Sequence, residues 1–442
     1  MSLSIKEYLN RGPATSKEIQ GATGLSQPVV SRQLRDMGDT VVKLANGRSP
    51  RYAATRNAFG GNDRLPLGMV DACGNTVLAA YLRPLVHGGF FIEPATGMPP
   101  LLLGESNDGL YGDLPYFLYD LSPQGFLGRK IAEEMAAHSD DFPNDPRNWN
   151  TNHIGRYLVS NGDDLPGNFK FGEQALLRVR RKPARVSDDQ YPALADSVMS
   201  GVIPGSSAGG EQPKFTAFSS RSSAHVIVKF SPKGNNEIAM RWRDVLITEY
   251  HATQAILAEN YPAAETRLIE KGGRLFLESQ RFDRSGEYGR MSMISLRSVD
   301  AEFTGMGSHW PIVLNALHEK ELIGWQHVFD TEMLWCFGHL INNTDMHLGN
   351  ISLAIEGNVF RLLPLYDMCS MGFAPKSGGE VTPYGFVPSV PKRVNLSEDM
   401  VELSKHMAHD FWERVSNDNR ISDEFKRYFE HGNPVDLMDR LI

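Results

Sequence analysis

"INNTDMHLGN", residues 341–350, sets three asparagines, an aspartate and a histidine at the end of the apolar run Leu334–Ile341. An apolar helix end does not need so many oxygen and nitrogen donors, so their meaning depends on what else in the chain can meet them. Asp345 and Asn350 stand five positions apart. That D-x-x-x-x-N spacing suits a phosphoryl-transfer loop, in which the aspartate accepts a hydroxyl proton and the asparagine oxygen holds magnesium. Seventeen residues after Asn350, the apolar segment of "LLPLYDMCS" delivers Asp367, a second oxygen ligand. Magnesium uses only one or two protein carboxylates, so Asn350 plus Asp367 suffices. The Asp-Phe-Gly signature is absent. His347, inside the loop, reads as a neighbour of phosphate or of the metal shell.

Working backwards, "AHVIVKFSP" alternates Val226, Val228 and Phe230 with Ile227 and Lys229, the period of a strand. A lysine in such a strand, downstream of a glycine loop, is how a kinase grips nucleotide phosphates. The loop is "IPGSSAGGEQPKF", residues 203–215. Gly205, Gly209 and Gly210 let backbone N–H groups converge on an anion, and Ser206 and Ser207 add hydroxyls. It is no Walker loop, because Glu211 follows Gly210 and no Lys-Ser/Thr pair closes it. Taken alone, it reads better as a glycine-rich surface turn. "EIAMRWRDVLITEYHATQAIL" predicts a helix with Glu249 placed to orient Lys229, and "RLFLESQRFDR" predicts a strand and a hinge suited to an adenine edge. Loop, lysine, helix glutamate, hinge, catalytic loop and metal aspartate follow in the order phosphoryl transfer requires.

The chain has 442 residues, 41% hydrophobic and 22% charged, which sets aside disordered and membrane-embedded classes and allows two to three domains. No signal core opens it and no run of eighteen apolar residues follows, so no membrane association is expected. Cys73, Cys336 and Cys369 are scattered without a Cys-x-x-Cys pair. That argues against a disulfide framework or zinc site and fits a cytoplasmic protein.

Charge is unevenly spread. Residues 1–60 hold nine Lys/Arg against four Asp/Glu, a net +5 within a chain of −8. A basic head on an acidic body suggests that the head meets a polyanion. "SKEIQGATG", residues 16–24, predicts a short helix with Ser16 as cap and Gly24 as stop. "LSQPVVSRQLRDMG" predicts a second, with Ser26 as cap, Pro28 in the first turn, and Val29, Val30, Leu34 and Met37 toward a core. Gln27, Ser31, Arg32 and Arg35 would then face outward, able to reach bases and phosphates. Two strand-like runs around Asn46-Gly47 predict a hairpin whose tip carries Arg48 and Arg51. The head resembles bacterial winged helix-turn-helix regulators; a protein-interaction module of three helices is the competing interpretation.

On "SSAGGEQPK", "HVIVKF", "QRFDR", "GRMSMISL", "NTDMHLGN" and "LLPLYDMCS", residues 60–420 resemble the HipA-like serine/threonine kinases, toxins of bacterial persistence modules. The resemblance implies an α+β, two-lobed protein-kinase-like fold with a mixed α/β N-lobe and a mainly helical C-lobe, behind a small winged head. The boundaries expected are a DNA-binding domain over 1–58, an N-lobe over 59–280 and a C-lobe over 281–442. Asp345 would be the catalytic base, with Asn350 and Asp367 on Mg2+. ATP would be held by Ser207, Ala208, Gly209, Gly210, Lys214 and Lys229, with Gln280 and Phe282 at the adenine and His347 near the phosphates. Some members carry Glu where Gln280 stands. Members of the family autophosphorylate a serine of the glycine loop, which here falls on Ser207 with Ser206 beside it. The new dianion would repel ATP phosphates. Implied partners are ATP, a protein substrate and DNA, with an antitoxin whose DNA-binding work residues 1–55 would do in cis, and a homodimer on a palindromic site. The rival interpretations are a DNA-binding regulator with a nucleotide-sensing, catalytically weak body, and a small-molecule kinase.

Overall fold

The computed structural model describes residues 3–44, 49–162, 164–200, 212–376, 378–392 and 396–438. Arg48 and the glycine-loop residues Ser206, Ser207, Ala208, Gly209 and Gly210 lie outside the described residues.

The head begins with α1 (Ile5–Leu9), which the sequence reading passes over although a reciprocal Ser4–Glu7 capping box starts it. α2 (Ser16–Thr23) is capped by Thr15, not Ser16, because Glu18 closes a capping box back onto Thr15; Gly24 ends it at φ 71°. α3 (Gln27–Asp36) buries Val30 and Leu34 against Ile5, Leu9 and Ile19, while Val29 is only half-buried. Three strands, β1 (Ala14–Thr15), β2 (Val41–Leu44) and β3 (Arg51–Ala54), form a sheet in the order β1-β3-β2. β2 and β3 make the anticipated hairpin, Val41 opposite Ala54.

That hairpin is joined to the next domain. Val42, Leu44 and Ala53 share a small core with Leu85 and Phe91. Val86 N donates to Ala54 O and Arg56 N to Pro84 O, both at 2.9 Å. Buried Arg83 donates to Asp39 O and pairs with Glu93 at 2.7 Å.

The middle domain is a five-stranded sheet of β4 (Leu65–Val70), β5 (Thr76–Pro84), β6 (Phe90–Pro94), β7 (Leu110–Tyr111) and β8 (Phe169–Phe171), ordered β7-β6-β5-β4-β8 and antiparallel throughout. Its helices are α4 (Tyr116–Tyr119), α5 (Gly125–His138), α6 (Thr151–Asn161) and α7 (Glu173–Leu177).

A second five-stranded sheet, ordered β12-β13-β11-β10-β9, is entered through β9, and α8 (Tyr191–Ser200) separates that strand from the other four. Its strands are β9 (Arg185–Val186), β10 (Lys214–Ser219), β11 (Ala224–Phe230), β12 (Thr266–Lys271) and β13 (Arg274–Gln280). The alternation read in "AHVIVKF" appears as β11, with Val226, Val228 and Phe230 buried beside Phe215 and Phe276. Between β11 and β12 runs α9 (Glu237–Ala258), whose Glu249 side is buried.

The remainder is mainly helical: α10 (Leu296–Phe303), α11 (Trp310–Glu319), α12 (Trp325–Leu340) and α13 (Glu398–Asn417). A small antiparallel sheet of Ile294–Ser295, Ser352–Glu356 and Val359–Leu362 frames the loop that follows α12. The two-lobed α+β architecture expected from the sequence is the one found. No helix among the described residues is long and apolar enough to cross a membrane.

Candidate active site

Lys214 and Lys229 sit opposite each other on β10 and β11, so the sheet presents two ammonium groups on one face. Lys229 is buried and makes three short contacts: Glu249 Oε1 at 2.5 Å, Glu249 Oε2 at 2.7 Å and Asp367 Oδ1 at 2.6 Å. Burial alone would favour the neutral amine, but Asp367 and Glu249 outweigh it and hold Lys229 firmly as ammonium. Burial also disfavours charge on Asp367, yet the Lys229 ammonium, helped by Lys214, brings its carboxyl down to about 2. Glu249 therefore does orient the lysine, as the sequence predicts.

Asp367 lies in the left-handed region, at φ 56°. A non-glycine residue there is uncommon and marks a backbone held by its surroundings. Cys369, two positions on, is buried, and burial raises its thiol well above the usual value, so it is present as S–H.

The loop after α12 supplies the opposite wall. Asn343 Oδ1 accepts from Asp345 N at 3.1 Å, which turns the chain. Asn350 Nδ2 donates to Asp345 O at 2.8 Å and approaches Asp345 Oδ2 at 3.4 Å. With its amide nitrogen committed to the loop, Asn350 has Oδ1 left to offer, a hard oxygen of the kind magnesium takes. An amide oxygen from Asn350 and a carboxylate from Asp367, with the remaining positions left to water and phosphate, fit that ion.

Asp345, His347, Asn350, Asp367, Lys214 and Lys229 line one cavity of about 280 Å³. A smaller, apolar chamber of about 110 Å³ shares Lys229 and Asp367 with it and is lined by Gln280, Phe282 and Tyr366. Phe282 packs against Tyr366 with ring centroids 5.7 Å apart. The chamber is thus largely apolar at the hinge and shares the Lys229 ammonium with the larger cavity.

Around Gln280 and Phe282, the rest of "QRFDR" does other work. Arg281 pairs with Asp283 at 3.0 Å and with Asp164 of the middle domain at 2.8 Å, and Arg284 reaches Asp164 at 3.0 Å. The hinge is thereby fastened to the middle domain.

Two residues of the larger cavity carry no signal in the sequence, Gln124 at the start of α5 and Arg297 in α10, and a third, Gln212 before β10, falls within the glycine-loop stretch without being singled out there. Gln212 is 5% exposed and its Nε2 has no hydrogen-bond partner among the described residues. "IPGSSAGGEQPKF" contains Gln212; neither "SPQGF" nor "ISLRS" carries a comparable signal.

On the head, Gln27, Ser31, Arg32 and Arg35 are all exposed along α3, as anticipated. Arg51 is exposed as well, but its guanidinium donates to Pro13 O at 2.7 Å.

Residues 61–180 match the family model described as "YjjJ-like toxin, middle domain", and residues 206–424 match "HipA-like C-terminal domain". Toxin YjjJ of Escherichia coli (strain K12) is 34% identical over 431 residues, covering 96% of this chain and 94% of the relative. Among solved structures, a chain of the Shewanella oneidensis MR-1 toxin–antitoxin complex of HipA, HipB and operator DNA superposes with a TM-score of 0.55. It is 15% identical and covers 85% of this chain and 96% of its own.

Proposed function

The chain belongs to the HipA-like toxin family, and from that premise we propose that it is an ATP- and magnesium-dependent serine/threonine protein kinase carrying its own DNA-binding head. The observation that carries the reading is the convergence of Asp345, Asn350, Asp367 and Lys229 on one cavity, from positions spread over more than a hundred residues.

In the reaction, Lys229, held upright by Glu249, engages the nucleotide phosphates, while Asp345 accepts the proton of a substrate hydroxyl as it attacks. Asn350 and Asp367 would hold magnesium, which when bound would neutralise charge on the nucleotide phosphates. Gln280 and Phe282 bound the adenine slot and Lys214 adds a second cation. Ser207, with Ser206 beside it, is the autophosphorylation site; a dianion there repels the phosphates the loop serves. The head is a winged helix-turn-helix that places Gln27, Ser31, Arg32 and Arg35 of α3 in the major groove, with Arg48 and Arg51 toward the backbone. It carries in cis the operator contact for which the related HipA complex contains HipB and DNA.

The test is incubation of purified protein with ATP and magnesium followed by phosphosite mapping. Phosphate on Ser206 or Ser207, absent in Asp345→Asn, is expected. ATP turnover on a metabolite without any phosphoserine would instead favour a small-molecule kinase.

A further inference from the structure

Arg297 occupies the second position of α10 and reaches across the mouth of the catalytic cavity. Its Nη1 donates to Gln124 Oε1 of the middle domain at 3.1 Å, and its Nη2 contacts His347 Nδ1 at 3.2 Å. The same ring nitrogen receives the backbone N–H of Gly349 at 3.0 Å. A guanidinium and a backbone amide can only donate, so His347 Nδ1 is the lone-pair nitrogen and the ring proton sits on Nε2. That Nε2 lies 3.8 Å from Asp345 Oδ1. Asn350 Nδ2 meets the other carboxylate oxygen, so the two sides of Asp345 face two different N–H donors.

The packing at Gly349 shows how closely this arrangement is built. A Cβ there would lie 2.7 Å from Arg297 Nη2 and 2.9 Å from His347 Cε1, so the loop has room for the guanidinium only because residue 349 lacks a side chain. Trp310 Nε1 donates to His347 O at 2.9 Å and pins the ring's own backbone. α10 is in turn moored to the middle domain: Asp120 accepts from Ser295 N at 2.8 Å, from Ser298 Oγ at 2.8 Å and from Ser295 Oγ. Among the described residues, no Asp or Glu lies within ion-pair distance of Arg297, so its charge is turned to the cavity and the ring.

We propose that Arg297 is a positioning residue of this centre: it fixes His347 as the Nε2–H tautomer aimed at Asp345 and makes that aim depend on Gln124 of the middle domain. The proposal rests on the kinase reading for its consequence, though not for its geometry. Nε2–H faces the catalytic carboxylate at 3.8 Å, beyond direct hydrogen-bond reach, so His347 constrains Asp345 by its charge distribution and can donate to an oxygen bridging the two, and the carboxylate keeps one rotamer through the transfer.

The experiment uses full-length protein labelled with 15N-histidine, with the His347 resonance among the 13 histidines assigned by its loss in His347→Gln. Long-range 1H–15N spectra should show a single Nε2–H tautomer in the wild type. Arg297→Met, which leaves only Gly349 N–H on Nδ1, should shift the His347 ring signals toward a less uniformly Nε2–H ring and lower kcat roughly tenfold to a hundredfold, with ATP affinity and KM within about twofold. Arg297→Lys retains one donor and should keep the tautomer at an intermediate kcat. Gln124→Leu, which removes only the middle-domain tether, should move the spectrum in the same direction as Arg297→Met, by less. A wild-type Nδ1–H ring, or an Arg297→Met enzyme with unaltered spectrum and kcat, overturns the proposal. Absence of phosphoryl transfer in the wild type sinks the kinase reading instead, while the tautomer is still read directly.

Discussion

Lys229 Nζ and Asp367 Oδ1 are 2.6 Å apart although 138 positions separate them in the chain. The contact bridges the sheet and the helical lobe, and it joins the proposed phosphate-binding cation directly to a proposed metal ligand. Glu249 holds the same ammonium from behind, at 2.5 Å and 2.7 Å. A cation held by Asp367 would compete with Lys229 for the same carboxylate.

Removing the lysine strands a buried carboxylate. Lys229→Met should cost about 3 kcal/mol, because Glu249 keeps its desolvation penalty and loses its partner. Glu249→Gln added to it should recover about half, since a neutral amide is far cheaper to bury. Urea unfolding of the two variants and the wild type measures both; equal midpoints for single and double variant would contradict the pairing.

Removing the carboxylate at 367 acts on metal more than on stability. Asp367→Asn should weaken ATP binding by roughly tenfold or more in magnesium and alter it little with EDTA present. Calorimetric titration under both conditions separates the two arms. The thermal midpoint should fall only modestly, because the buried Lys229 loses Asp367 but keeps Glu249 at 2.5 Å and 2.7 Å.

Gly349→Ala tests the crowding around the catalytic loop. The new methyl meets the mobile end of Arg297, so the side chain yields and the fold survives. Transfer activity should fall about tenfold through the displaced ring, with the melting temperature lowered only slightly. Phosphoryl transfer and a melting curve on the same preparation suffice.

Acid sensitivity should centre on the hinge. Burial raises the carboxyl of Asp283, but Arg281 and Arg284 more than offset this and hold it well below the usual range. A group whose folded pKa is depressed contributes stability above its unfolded value near 4, and that contribution is lost as pH falls below it. Wild-type stability should thus decline from about pH 5 downward. Asp283→Asn should start about 2 kcal/mol lower at neutral pH and decline less steeply. Denaturant melts at a series of pH values give both slopes.

The head should be separable by charge. Arg32→Ala and Arg35→Ala should each weaken duplex DNA binding and reduce the salt slope by about one. Nucleotide affinity should stay as it was. Binding isotherms at several salt concentrations provide the measurement.

The residues legible in the sequence are those whose signal is local. Period-two alternation marks β11, and the five-position spacing of Asp345 and Asn350 marks the catalytic loop, because each depends on neighbours within a few residues. The register that sets Lys214 opposite Lys229 follows from a hairpin of the same kind. Where two local signals competed, the reading went astray: Ser16 and Thr15 both suit a cap, and Glu18 decides for Thr15. Arg297 was hidden because its partners are far away in sequence, Gln124 at 173 positions and His347 at 50. The middle domain offered no motif at all; its contribution to the cavity exists only once α5 and α10 are folded side by side.

Severing the head would leave a scar. Leu85 and Phe91 lie under Val42, Leu44 and Ala53. A truncation at the apparent domain border would therefore bare a greasy facet and orphan the main-chain groups of Pro84 and Val86 that now bond across it. Anyone wishing to silence the N-terminal region without spoiling solubility should mutate its outward helix and keep the scaffold. The same weld ties the orientation of α3 to the domain whose Gln124 borders the cavity, so the head and the cavity mouth share one rigid mounting.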